Sequence, residues 1–166
     1  MKYFLVGFMG SGKSFVGEQL SKHLQLKFID LDYHIERNEN CSITDMFEKN
    51  GEKYFRKLEF EYFKEIIKHD NIIISTGGGA VAHDDIMNLI NRNGTSFYLQ
   101  CKTNIIFERI KESKNIRPLL KKLNDSQILN FIEKKISERK FYYEQSDYIV
   151  NNNKGKALED ILEILG

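Results

Sequence analysis

The sequence predicts an α/β fold in three layers, with a central five-stranded parallel sheet between two helical layers. Fully apolar runs such as Ile72-Ile73-Ile74 suit strands buried on both faces, which only helices on both sides of a parallel sheet provide. Such runs alternate with segments of helical spacing. A length of 166 residues with 41% hydrophobic positions is enough for one core and too short for two large domains. The strand runs fall at 3–6, 27–29, 71–75, 96–99 and 148–150. Apolar residues recur at helical spacing over 13–24, 52–67, 84–90, 105–110, 128–140 and 157–165. A charged stretch at about 113–125 lacks a persuasive period and is read as a mobile lid within a single domain spanning 1–166.

Charge excludes some partners. A formal net charge of +1 gives no overall pull toward nucleic acid or membrane surfaces, so the expected partners are small molecules and the expected state is a monomer. The opening Met1-Lys2-Tyr3-Phe4-Leu5-Val6-Gly7 is too short an apolar run for a signal peptide or a membrane span, and a cytoplasmic location is expected. Cys41 and Cys101 lack the C-x-x-C spacing of metal and redox sites and read as reduced thiols.

The chemistry starts at Gly7-Phe8-Met9-Gly10-Ser11-Gly12-Lys13-Ser14, a Walker A pattern placed between the first strand and the first helix. Its glycines let backbone N–H groups of Gly10, Ser11, Gly12 and their neighbours close around phosphate oxygens, and the helix N-terminus adds positive potential. Lys13 is expected to reach the β- and γ-phosphates of ATP, and the Ser14 hydroxyl to bind Mg²⁺. A GTPase is disfavoured, because Asn153-Lys154-Gly155-Lys156 has no aspartate where guanine recognition needs one. A P-loop kinase needs an acceptor pocket instead, and such pockets lie at the carboxyl ends of parallel strands.

Those ends carry polar residues. Asp30-Leu31-Asp32 follows the second strand, and if the chain stays extended the two carboxylates share a face, one for the metal and one for an incoming hydroxyl. Asp32 also fits a helix cap. Thr76-Gly77-Gly78-Gly79 follows the third strand and leaves backbone donors open to a ligand. Arg56 is one helical turn before Glu59, which suits either a surface ion pair or a held ligand-binding guanidinium. Arg117 precedes Pro118, the single proline of the chain, which disfavours helix there and presents the arginine from extended backbone. Arg139 closes an expected helix and fits either a helix-dipole partner or a ligand contact.

Taken in order, the glycine loop, Asp30-x-Asp32, Gly51-Glu52-x-x-Phe55-Arg56-x-x-Glu59, Gly77-Gly78-Gly79, Arg117-Pro118-Leu119-Leu120 and Arg139 resemble the shikimate kinases over essentially the whole chain. That resemblance implies transfer of phosphate from ATP to the 3-hydroxyl of shikimate. It implies Lys13 and Ser14 at phosphate and Mg²⁺, Asp30 behind the metal, and Asp32 on the shikimate hydroxyls. Arg56 and Arg139 match the pair that grips the substrate carboxylate, the glycine triplet matches the pocket wall, and Phe47 and Phe55 its apolar side, within a substrate-binding helical segment at about 32–60. Arg117 matches the lid arginine and Arg109 a residue near adenine. Lys13, Asp32 and Arg117 are thus the implied catalytic groups. Two departures stand out. Phe15 replaces a threonine that would offer the nucleotide a hydroxyl, and Asn40-Cys41 replace a glycine turn, where asparagine tolerates left-handed backbone. The rival reading is a kinase for gluconate or a nucleoside monophosphate.

Overall fold

The computed structural model describes residues 1–83, 85–113, 120 and 122–166. Its sheet has five parallel strands, β1 (Lys2–Val6), β2 (Lys27–Asp30), β3 (Ile72–Ser75), β4 (Thr95–Gln100) and β5 (Tyr148–Asn151), in the spatial order β2-β3-β1-β4-β5. Strand β1 is central because its residues are apolar on both faces: Phe4, Leu5 and Val6 are fully buried. The predicted strands are therefore present, each within one residue of its expected ends.

Alternation along the strands sorts side chains into two cores. Phe4, Val6, Ile72, Ile74 and Tyr98 point to one side, where they pack against α2 (Leu31–Glu39), α4 (Glu52–Ile66) and α5 (Ile86–Asn93). Leu5, Ile73, Phe97, Leu99 and Val150 point to the other, against α1 (Lys13–Leu24) and the last helix, α8 (Ala157–Leu165). The short helix α3 (Ile43–Asn50) joins the first side through Met46. A third cluster links α6 (Thr103–Glu112) to α7 (Asp125–Tyr143) through Ile106, Ile110, Ile128 and Ile132, with Phe8 beneath the glycine loop. Among the described residues no helix is long and apolar enough to cross a membrane.

Two expectations change. The helix placed at 84–90 starts at Ile86, because Asp85 holds left-handed backbone at φ 57°; Asp84 lies outside the described residues. The chain does not stay extended from Asp30 to Asp32, since Asp30 Oδ1 accepts the Tyr33 N–H and caps α2, which starts at Leu31. Of the lid at 113–125, residues 114–119 and 121, Arg117 among them, lie outside the described residues. At the end of α2 Asn40 has φ 49°, so the asparagine does take the left-handed position read for it.

Candidate active site

Both β1 and β3 end in glycine-rich turns, and because these strands are neighbours the two turns lie side by side. Gly78 packs against the first loop so closely that a Cβ there would sit 3.1 Å from the Met9 nitrogen. A cavity of about 290 Å³ opens between them, lined by Gly10, Gly12, Lys13, Ser14, Phe15, Asp30, Asp32, Ser75, Thr76 and Gly78 among others. The carboxyl edge of the sheet is where doubly wound folds hold ligands.

Lys13 begins α1 and is buried, its Nζ donating to the carbonyls of Gly7 at 2.7 Å and Phe8 at 3.0 Å. The lysine thus closes the loop on itself as well as bringing charge to the cavity. The Ser14 hydroxyl donates to Asp30 Oδ2 at 2.5 Å, so the cap of α2 and the first turn of α1 meet at one point. Asp32 lines the same cavity, but from the first turn of α2 and not from an extended strand. The two carboxylates face one space because one is the cap and the other lies two residues into the helix. Phe15 is 65% exposed on the rim.

Behind Asp32, the second glycine turn is built around absent side chains. A Cβ on Gly77 would lie 2.6 Å from both Asp32 Oδ1 and Glu59 Oε1; one on Gly79 would lie 2.5 Å from Arg56 Nη2 and 3.2 Å from Arg139 Nη2. Asp32, Glu59, Arg56 and Arg139 therefore converge on the same few backbone atoms. Arg56 comes from α4, its guanidinium held by Glu59 Oε2 at 2.8 Å and set against the rings of Phe55 and Phe47, 5.3 and 5.7 Å from their centroids. This pair is buried rather than superficial: the Arg56 side chain is 12% exposed and that of Glu59 1%. Burial raises the Glu59 carboxyl from 4.5 to about 7, against the opposing pull of Arg56. Glu59 Oε1 and Arg56 Nε have no hydrogen-bond partner, so polar capacity is left unused beside the glycine turn.

Arg139 lies one turn inside the end of α7, where it donates to the Gly78 carbonyl at 3.1 Å and packs over Phe8. A helix-dipole role does not describe it. Tyr143, one turn further along the same face, donates to the same carbonyl at 2.5 Å. That tyrosine was not foreseen; its i, i+4 spacing from Arg139 is the signal that marks it. Arg109 turns inward, donating to Gly10 O at 3.2 Å, to Asn152 O at 2.6 Å and to Cys101 Sγ at 3.3 Å.

The family model for shikimate kinase matches residues 9–166. A shikimate kinase of Aquifex aeolicus is 42% identical over 165 residues, covering 99% of this chain and 94% of the relative. One from Bacteroides fragilis is 36% identical, covering 99% and 90%. Among solved structures, a shikimate kinase from Bacteroides thetaiotaomicron superposes with a TM-score of 0.94 at 33% identity, covering 99% and 96% of the two chains. A shikimate kinase from Acinetobacter baumannii in complex with shikimate gives 0.87 at 33% identity, covering 99% and 90%. A deoxyadenosine kinase from M. mycoides, 18% identical with a TM-score of 0.58, shares the fold alone.

Proposed function

The chain belongs to the shikimate kinase family, and from that premise we propose how its residues carry the γ-phosphoryl group of ATP to the 3-hydroxyl of shikimate, giving shikimate 3-phosphate and ADP in aromatic amino acid biosynthesis. The observation that carries the assignment of roles is the convergence of Arg56 and Arg139 across Gly79, beside Asp32 and next to the phosphate loop. Two planar guanidiniums on one small glycine-walled space suit a carboxylate, whose oxygens they grip by paired donors. A gluconate or nucleoside kinase has less use for two cations placed beside an acceptor carboxylate.

Geometry and the family resemblance together support a division of work. Backbone N–H groups at Gly10 to Ser14 and the Lys13 ammonium receive the phosphates; Phe15, with no hydroxyl, contributes its backbone donor. The oxygen donors Ser14 and Asp30, already touching, fit a hard cation such as Mg²⁺ and would hold it, directly and from behind. When bound, Mg²⁺ supplies charge neutralisation for the transferring phosphoryl group. Asp32 orients the attacking hydroxyl and takes its proton late in the transfer. Gly77, Gly78 and Gly79 form the wall, Phe47 and Phe55 back the Arg56 guanidinium, and Arg139 completes the carboxylate grip. Arg117 is read as the lid arginine that meets the phosphoryl charge in the transition state, and Arg109 as a residue on the nucleotide side. The free thiols Cys41 and Cys101 and the need for ATP support a cytoplasmic setting.

A coupled ADP-release assay over shikimate, quinate, gluconate and nucleoside monophosphates, with and without Mg²⁺, tests the reading. ADP release is expected with shikimate and metal together. Turnover of another member of the panel, with none on shikimate, would falsify it.

A further inference from the structure

A phosphate loop works only if its carbonyls point away from the anion, and each carbonyl turned inward to the protein needs a donor there. Lys13 serves Gly7 and Phe8, and Arg109 serves Gly10. The Ser11 carbonyl is served from far along the chain. Asn152, just past β5 and 2% exposed, donates to it from Nδ2 at 2.8 Å across 141 positions. The other end of the same amide, Oδ1, accepts the Ala157 N–H at 3.2 Å where α8 begins. The Asn152 backbone is fixed as well, its N–H donating to Gln100 O at 2.9 Å and its carbonyl accepting from Arg109.

In a trans peptide unit the carbonyl and the next N–H point in opposite directions, and the described chain has no cis peptide bond. Anchoring the Ser11 carbonyl behind the loop therefore turns the Gly12 N–H forward, on the side where Gly12 lines the cavity. Gly12 has φ 97°, and a Cβ there would lie 2.7 Å from Asn152 Nδ2, so glycine and asparagine are fitted to one another. We infer that Asn152 is a positioning residue for phosphoryl transfer, holding the Ser11–Gly12 peptide so that the Gly12 N–H faces the phosphates of the nucleotide. It also ties the turn after β5 to the phosphate loop, so the two move as one body. The inference rests on the phosphate loop binding ATP as read above.

Asn152→Asp tests this with little change of shape: its carboxylate still accepts from Ala157, but it offers the Ser11 carbonyl an oxygen where a donor stood. Asn152→Ala removes both bonds without adding repulsion. Calorimetry on the full chain with magnesium chloride would measure binding of pyrophosphate, ADP and shikimate. Pyrophosphate reads the loop without a base. Affinity for pyrophosphate and ADP is expected to fall at least tenfold in Asn152→Asp and less in Asn152→Ala, with shikimate within twofold and the KM for ATP raised. A purely structural residue would lower the binding stoichiometry of all three ligands together and leave their dissociation constants unchanged, and that result overturns the inference. In the unsubstituted protein, pyrophosphate is expected to slow exchange of the Gly12 amide hydrogen. No such protection overturns the inference even where neither variant folds. If the unsubstituted protein binds neither ADP nor pyrophosphate, the phosphate-loop reading itself falls; if it binds both and the variants match it, only the role of Asn152 falls.

Discussion

Replacing Glu59 with glutamine should make the protein more stable at pH 8 while leaving it nearly unchanged at pH 4.5. The buried carboxyl has its pKa raised from 4.5 to about 7, chiefly by burial and secondarily by the nearby Asp32, with Arg56 and Arg139 pulling the other way. Between those values the unfolded chain has released a proton that the folded chain still holds, so stability falls as pH rises. The contribution of Glu59 is complete below pH 4.5 and is lost as pH passes about 7. At 1.36 kcal/mol for each pH unit, the full difference is about 3 kcal/mol. Glutamine mimics the protonated acid and cannot titrate, so the two stability curves should meet at low pH and separate by about 3 kcal/mol at pH 8. Urea unfolding from pH 4.5 to 8 reads this directly, since urea, unlike guanidinium, does not screen the charges. Curves that stay parallel within about 1 kcal/mol would show that Glu59 is ionised throughout, with Arg56 fully compensating its burial.

Gly79→Ala should weaken shikimate binding roughly tenfold to a hundredfold, the loss of about one charge-assisted contact, because its Cβ must push the Arg56 guanidinium aside. Gly79 has φ −101°, which alanine adopts freely, so an unchanged urea midpoint with unchanged affinity would refute the crowding argument. Lys13→Ala should lower turnover at least roughly 10²–10³-fold and also lower the melting temperature by a few degrees, since the Gly7 carbonyl loses its lysine donor and the Phe8 carbonyl keeps only the Ser11 N–H. Full activity in the ADP-release assay would remove Lys13 from the phosphate site. Arg56→Ala and Arg139→Ala should each reduce the preference for shikimate over its neutral carboxamide, and the double variant should show coupling. A preference as strong as that of the unsubstituted protein would place the carboxylate elsewhere.

Where the chemistry is written in short contiguous runs, the sequence was legible. The glycine loop and the glycine triplet announce backbone that must approach a ligand, and β1 and β3 announce themselves by apolar runs that only a buried parallel strand tolerates. Arg56 and Glu59 were visible as a pair because helical spacing couples them, yet their burial was not, since it depends on α3 and Phe47 covering them. Asp30 and Asp32 do share a cavity, but for a reason other than an extended chain: Asp30 caps α2 and Asp32 lies in its first turn. The partners of Tyr143 and Asn152, Gly78 and Ser11, lie 65 and 141 positions away, so helical spacing from Arg139 could mark Tyr143 but no local pattern reaches Asn152.

The long tie between Ser11 and Asn152 bears on how the protein is born. During synthesis β1 leaves the ribosome before the Walker segment and α1. The Asn152 amide that donates to the Ser11 carbonyl emerges 141 positions later, just after the edge strand that delivers it. Until then the Ser11–Gly12 peptide lacks its Asn152 anchor, and contacts of such separation form late and slowly. A nascent chain therefore displays the phosphate-binding motif well before the Asn152 anchor proposed above can form, and on that proposal full nucleotide affinity arrives with the docking of β5.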